Sequence, residues 1–271
     1  LEEALGRGCF RIAPDRRESL ERDLEMSADD LLRALVNYIK PHARCPVSNF
    51  QVGAAGVTAA GEVFLGVNLE YSQASLAQTV HAEQFLISWC RSSSSSPLIT
   101  LAVSAPPCGH CRQFMREFDH EGELRLLIGS EPEVRGRALL PRAFTPKDLG
   151  VKEPFFLSEP AGESGSDLVE AARSAAYRSY TPYSGRKAGV SVKTADGRVF
   201  AGSSLENAAF NPSLPPFQAA LVVCHAHGVD ATRLEAVVLC QGTGLIDYAD
   251  QTGMLAAALG VRPENVRVVT C

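Results

Sequence analysis

Apolar residues recur at helical spacing from Ser27 to Tyr38, where Leu31, Leu32, Leu35, Val36 and, just beyond, Ile39 fall on one side behind Ser27 as a candidate N-cap. Pro41 stops this helix. Two strand-like runs follow, Phe50 to Thr58 and Glu62 to Leu69, and the Ala60-Gly61 turn between them predicts a hairpin. The pattern then predicts a buried helix over Val80 to Trp89 and a strand over Leu98 to Ser104. A second helix over Gly109 to Phe118 and a strand over Leu124 to Gly129 follow. The serine run Ser92 to Ser96 reads as a solvated loop. Strands alternating with helices after one hairpin predict an α/β fold, a mixed sheet covered on both faces.

The second half of the chain repeats the first. Pro46, Ser48, Gly53, Gly61, Phe64, Gly66, Leu69 and Glu70 reappear, at a constant shift of 136 residues, as Pro182, Ser184, Gly189, Gly197, Phe200, Gly202, Leu205 and Glu206. Residues of these types fix turns and close packing, so their joint recurrence predicts two similar domains. The stretch from Leu140 to Gly165, with Pro141, Pro146, Pro154 and Pro160, is rich in Pro and Gly and holds the linker between them.

Composition narrows the class of molecule. With 271 residues, 45% of them hydrophobic and 21% charged, the chain has the make-up of an ordinary globular protein with a sizeable core. A formal net charge of -5 argues against a polyanion as main partner, because nucleic-acid binders present a basic face. The eight cysteines lack the rhythm of a disulfide scaffold, which points to a reducing compartment. No run approaches the roughly 20 apolar residues of a membrane helix, and the acidic start lacks a signal-peptide core. These features together predict a cytoplasmic protein.

The chemistry concentrates in His81-Ala82-Glu83 and, further on, Pro107-Cys108-Gly109-His110-Cys111. His81, Cys108 and Cys111 are three metal ligands of the kind zinc takes, and a three-ligand set leaves a position open for water, unlike a closed structural site. If each group opens a helix, peptide N–H groups and the helix dipole stabilise the thiolates. Glu83, two residues from His81, points away from the metal and toward a substrate, where it can carry protons. His110 is read as pointing away from the metal. At the constant shift, Phe217 and Ala219 stand in place of His81 and Glu83, and the second half has no Cys-x-x-Cys, so its copy cannot hold the ion.

His-x-Glu followed by Pro-Cys-x-x-Cys is the known signature of zinc nucleobase deaminases. From Asp29 to the C-terminal end the chain resembles the cytidine deaminase family, in its dimeric branch with two deaminase-like domains per chain. Beyond the ligands, the likeness lies in Phe50-Gln51-Val52-Gly53-Ala54, Val67-Asn68-Leu69-Glu70 and Cys108-Gly109-His110-Cys111-Arg112-Gln113-Phe114. The resemblance implies two tandem three-layer α/β/α domains, each with a mixed sheet of about five strands. It divides the chain into an N-terminal extension (1–26), a catalytic zinc-binding domain (27–150), a linker (151–163) and a degenerate domain without a metal site (164–271).

By the same resemblance, one zinc ion held by His81, Cys108 and Cys111 serves Glu83 as the catalytic acid and base. Phe50 packs on the base, while Asn68 and Glu70 bind the ribose hydroxyl. Free cytidine and deoxycytidine would then be deaminated in pyrimidine salvage by a homodimer that binds neither nucleic acid nor membrane. Leu140 and Phe144 are secondary candidates for the substrate wall. Two alternatives stay open at this point: a deaminase acting on bases in a polynucleotide, and a non-catalytic module stapled by structural zinc. Phe50 also reads as a core strand residue, Glu70 as a cap on the strand end, and Glu206-Asn207 as a relic with a structural or interface role.

Overall fold

The structure, a computed structural model, describes residues 1–157 and 167–271. Residues 158–163 of the expected linker and 164–166 of the expected second domain lie outside the described residues. The chain divides into two compact units, Leu1–Glu70 with Val80–Glu159, and Tyr71–Thr79 with Pro160–Cys271.

The first unit runs α1 (Glu2–Leu5), β1 (Arg11–Ile12), α2 (Pro14–Asp23), α3 (Ala28–Ile39), β2 (Gly53–Thr58), β3 (Val63–Val67) and α4 (Ala82–Ser93). It continues through β4 (Leu98–Val103), α5 (Gly109–Met115), β5 (Arg125–Ile128), β6 (Val134–Arg135) and α6 (Gly136–Leu139). Its sheet has the order β1-β3-β2-β4-β5-β6, with β4 and β5 parallel and the other neighbours antiparallel. Ser27 caps α3 by accepting from Asp30 N at 3.2 Å, and Pro41 falls in the short 3-10 turn that ends the helix. The first hairpin strand begins at Gly53 and not at Phe50. Asn49, just before Phe50, takes a positive φ of 54°, and Phe50 to Val52 are held by the Ser48 and Asn68 side chains and one backbone hydrogen bond, Asn68 N to Val52 O at 3.3 Å.

Two glycines establish the layers. A Cβ on Gly66 would overlap the backbone of α4, and one on Gly53 would overlap that of α3. Gly66 pairs with Ala54, the neighbour of Gly53, so the two glycines face opposite ways and α3 and α4 cover opposite faces of the sheet. Leu31, Leu35 and Ile39 of α3 and Phe85, Leu86 and Ile87 of α4 are fully buried, as a three-layer core requires.

The second unit contains α7 (Leu168–Tyr177), β7 (Ala188–Thr194), β8 (Val199–Ser203), α8 (Pro216–Ala226), β9 (Leu234–Gln241), α9 (Ala249–Ala258) and β10 (Val266–Thr270). Its sheet order is β10-β9-β7-β8, with β9 and β10 parallel. The repeat read in the sequence is a repeat of register. Val57 and Lys193, 136 residues apart, each precede a break in pairing with the next strand, and Gly61 and Gly197 turn the two hairpins at φ of 85° and 84°.

Among the described residues the sheets have six and four strands, either side of the five or so expected of each. The first gains two-residue strands at its edges, β1 and β6, too short for a sequence period to reveal. Residues 1–26, expected as an extension, supply α1, β1 and α2 to the first unit. Cys240 and Cys271 form a disulfide with Cα atoms 5.7 Å apart, whereas the other six cysteines are free. The parallel register, with Val269 opposite Cys240, brings these two together, and their sequence separation of 31 conceals it. Among the described residues, no helix is long and apolar enough to cross a membrane.

Candidate metal centre

One end of the first sheet gathers the site. Val67 at the end of β3 pairs with Gly53 at the start of β2, and Val103 at the end of β4 pairs with Ala54. The chain therefore leaves β3 and β4, and enters β2, at the same end of the sheet. There α4 begins with His81 as N-cap and α5 begins with Cys108 as N-cap, both residues extended in the backbone. Gln84 reaches back to His81 N, fixing the entry to α4.

His81 Nδ1 lies 3.4 Å from Cys108 Sγ and 3.3 Å from Cys111 Sγ, and the two sulfurs are 3.7 Å apart. Ligand bonds of about 2.3 Å for sulfur and about 2.0–2.1 Å for nitrogen at tetrahedral angles place such donors about 3.8 Å and about 3.6 Å apart. The observed spacing thus fits zinc with one position left over. Among the described residues this is the only group of three or more His, Cys, Asp or Glu side chains whose donor atoms converge. Hydrogen bonding between the two thiols pushes Cys108 down to about 4, which favours its thiolate. His110 stands outside the donor set, its ring stacked on that of His81 with centroids 5.6 Å apart.

Glu83 is 4% exposed in the first turn of α4, and its carboxyl accepts from the Cys111 thiol. Burial raises its pKa, since the charged form loses water without a full set of donors. This carboxyl, beside the ligands and outside their set, is placed to exchange protons with a bound substrate.

Phe50 is 60% exposed, which sets aside its reading as a core strand residue. Asn68 holds the segment that carries it, accepting from Val52 N at 2.8 Å and donating to Phe50 O at 2.9 Å. Glu70 Oε2 accepts from Val47 N and Ser48 N, both at 2.9 Å, while Oε1 accepts from Ser48 Oγ. Burial pushes the Glu70 carboxyl up, but these hydrogen bonds outweigh it, helped by His81, and hold it below the usual range. Glu70 therefore does hold the loop, and of about four lone-pair sites on a carboxylate one stays unused.

Four neighbours were not singled out from the sequence as site residues. Ser48 binds Glu70, and its recurrence as Ser184 was the signal for it. Cys45 lies against Glu70 and Asn68, where burial raises its thiol, and nothing in the spacing marks it. Arg112 and Gln113, directly after Cys111, donate to Leu139 O and Phe144 O at 3.0 and 2.7 Å. They tether the segment holding Leu140 and Phe144 to the ligand-bearing helix, leaving Phe144 exposed.

The second unit keeps the loop and loses the site. Glu206 accepts from Tyr183 N at 2.9 Å, Ser184 N at 3.1 Å and Ser184 Oγ, the same set as Glu70. Arg186 stands at the Phe50 position, but its buried guanidinium donates to Gly244 O, Ile246 O and Asp247 Oδ2 in the connection between β9 and α9.

Both halves match known families. Descriptions of the cytidine and deoxycytidylate deaminase zinc-binding region match residues 26–122 and 137–252, between them most of the chain. Among solved structures, the chain is similar to cytidine deaminase from Mycobacterium tuberculosis, at 31% identity over 42% of this chain and 95% of that one, with a TM-score of 0.38. For the Mycobacterium leprae enzyme the values are 28%, 42%, 97% and 0.37. For the Burkholderia pseudomallei enzyme they are 29%, 42%, 98% and 0.37.

Proposed function

The chain belongs to the cytidine and deoxycytidylate deaminase family of zinc-dependent hydrolases, and from that premise we propose that it converts free cytidine and deoxycytidine to uridine and deoxyuridine. Water adds to the amino-bearing carbon of the pyrimidine, the carbon–nitrogen bond breaks, and ammonia leaves. The observation that carries this reading is the convergence of one imidazole nitrogen and two sulfurs within 3.7 Å of one another, beside a buried carboxyl outside their set.

His81, Cys108 and Cys111 would hold zinc, whose Lewis acidity would bring the pKa of a water from about 15.7 to about 7. Glu83 is the proton carrier. It takes a proton from the attacking water, delivers it to the ring nitrogen beside the amino-bearing carbon, and then assists the departing amine. Phe50 offers an exposed ring for the base. Asn68 and Glu70 fix the loop beneath it, and the unused lone pair of Glu70 Oε1 accepts from a sugar hydroxyl. A phosphodiester lacks that hydroxyl and brings a negative charge toward a carboxylate held ionised, which favours the nucleoside over a polynucleotide.

The reading extends to a homodimer acting in pyrimidine salvage in the cytoplasm, with the boundaries given above for the catalytic and degenerate domains. The lack of a disulfide-scaffold rhythm among the eight cysteines supports the compartment, against the single Cys240–Cys271 pair, and two deaminase units in one chain support the dimer. Purified protein given cytidine should release one ammonia per uridine formed, while a single-stranded cytosine oligonucleotide should stay intact. Turnover of the oligonucleotide with none of the nucleoside would reverse the substrate assignment, and light scattering at the mass of one chain would remove the dimer.

A further inference from the structure

The segment Gly6–Ile12 reaches the metal-bearing helix from the far side. The Phe10 ring stacks on Phe85 of α4 with centroids 5.3 Å apart and planes 25° apart, and it is 3% exposed. The single Phe10 carbonyl accepts twice, from Leu65 N of β3 at 3.0 Å and from the Trp89 indole N–H of α4 at 3.1 Å. One oxygen therefore joins helix to sheet. Phe85 and Trp89 follow His81 by four and eight residues, so they lie below it on one helical face.

The segment is itself anchored at both ends. Tyr38 OH of α3 donates to Gly6 O at 2.7 Å and accepts from Cys9 N at 3.0 Å, while Arg11 and Ile12 pair with Phe64 and Val63 along the outer edge of β3. In the second unit, β8 corresponds to β3 and is the edge strand of its sheet among the described residues. Leu221 and His225 stand there, at the constant shift, in the places of Phe85 and Trp89. The unit whose helix carries a ligand has the segment, and among the described residues the other unit shows no counterpart.

We propose that Gly6–Ile12 is a positioning strap for α4, setting the height of His81 above the two cysteines so that zinc retention depends on Phe10 and Trp89. This rests on the zinc site assigned above. Three donors satisfy a tetrahedral ion only within a few tenths of an ångström, and a helix free to slide on its sheet loses that match. The strap thus acts on the ligand from about one and two turns further along the helix, through Phe85 and Trp89.

Zinc affinity tests this directly, by titrating metal-stripped protein with zinc against a chromophoric chelator. Phe10→Ala should weaken zinc binding by about 10–100-fold, the range for residues that orient a ligand, with Phe10→Leu restoring part of it. Trp89→Phe, which deletes one indole N–H, should weaken it by a smaller factor and shift the visible band of the cobalt-substituted protein. Leu127→Ala, buried in β5, should lower the melting temperature and leave zinc affinity within about three-fold of the parent. Equal loosening by Leu127→Ala and Phe10→Ala would reduce the strap to bulk stability, and unchanged affinity in Phe10→Ala and Trp89→Phe would overturn it outright. Should Phe10→Ala fail to fold, Phe10→Leu and Trp89→Phe carry the decision. Failure of the unaltered protein to bind zinc would instead strike the metal site itself.

Discussion

Glu70 and Glu206 occupy the same position in two copies of one fold and make the same hydrogen bonds, to two successive backbone N–H groups and a serine hydroxyl. Around Glu70 the helix N-termini present His81, Glu83, Cys108 and Cys111. At the corresponding place on α8 the chain has Phe217 and Ala219, and Arg186 is bonded into the following connection. The shared part is therefore the loop clamp, which the fold keeps whether or not a metal is bound. The chemistry is a layer added at the starts of two helices, and replacing a few residues there removes it.

Cutting into that layer should give the largest effects. Cys111→Ala removes one of three ligands, so the purified variant should hold no stoichiometric zinc by elemental analysis and show no measurable turnover. Asp247→Ala in the second unit should leave both intact. Next is Glu83→Gln, which keeps the shape but cannot accept a proton. It should retain zinc and lose about 10²–10⁴-fold in kcat, the usual range for a missing general base. Loss of zinc in this variant would move Glu83 into the ligand set and undo the division of labour drawn here.

How much of this was legible in the chain depends on what each feature asks of the residues. The helix Ala28–Ile39 and the hairpin announced themselves because a buried face imposes a period, and Ser27, Pro41 and Gly61 mark ends and turns by their own stereochemistry. The ligand triad was legible because metal chemistry restricts residue type. β1 was not, since two residues carry no period, and the contacts of Phe10 with β3 and α4 lie more than fifty residues away in the chain. The loop clamp made by Glu70 was only half visible, as a cap on the strand end. The residue's identity suggested a partner for a sugar hydroxyl, and only the fold reveals Val47 and Ser48 as partners already in place. Nothing in the sequence marks Arg186, at the Phe50 position, as the residue around which the connection between β9 and α9 closes. Cys108 follows Val103 by five positions, whereas Tyr248, the N-cap of α9, follows its counterpart Leu239 by nine, and those added residues supply the carbonyls.

The two clamps can be separated by a matched pair of substitutions. Glu70→Gln and Glu206→Gln each replace one acceptor oxygen by an NH2 group, leaving a loop N–H unmet in either unit, at about 1–3 kcal/mol. Both variants should unfold at lower temperature, but only Glu70→Gln should raise KM for the nucleoside. The Glu70 carboxyl lies below its ordinary range in the folded chain. Its stabilisation is therefore present above the unfolded carboxyl's pKa of about 4.3 and is lost as pH falls through the folded value. The stability gap between parent and Glu70→Gln should close on acidification below about pH 4. A gap that widened there would reverse the sign assigned to the clamp.

Arg186→Leu asks the least of the molecule and bears on why the second unit is closed. It leaves Gly244 O and Ile246 O without their donor and Asp247 without its cation, in a region where Arg186 is almost fully buried. Leucine restores apolar volume but no hydrogen bond, so the cost is that of unmet carbonyls, about 1–3 kcal/mol. It should appear as faster amide hydrogen exchange in the connection between β9 and α9. Turnover and zinc content should stay within about two-fold of the parent, because the catalytic layer sits entirely on α4 and α5. If Arg186→Leu instead abolished turnover while zinc stayed bound, the second unit would be a working part of catalysis, and Arg186 more than a closure of the metal-free copy.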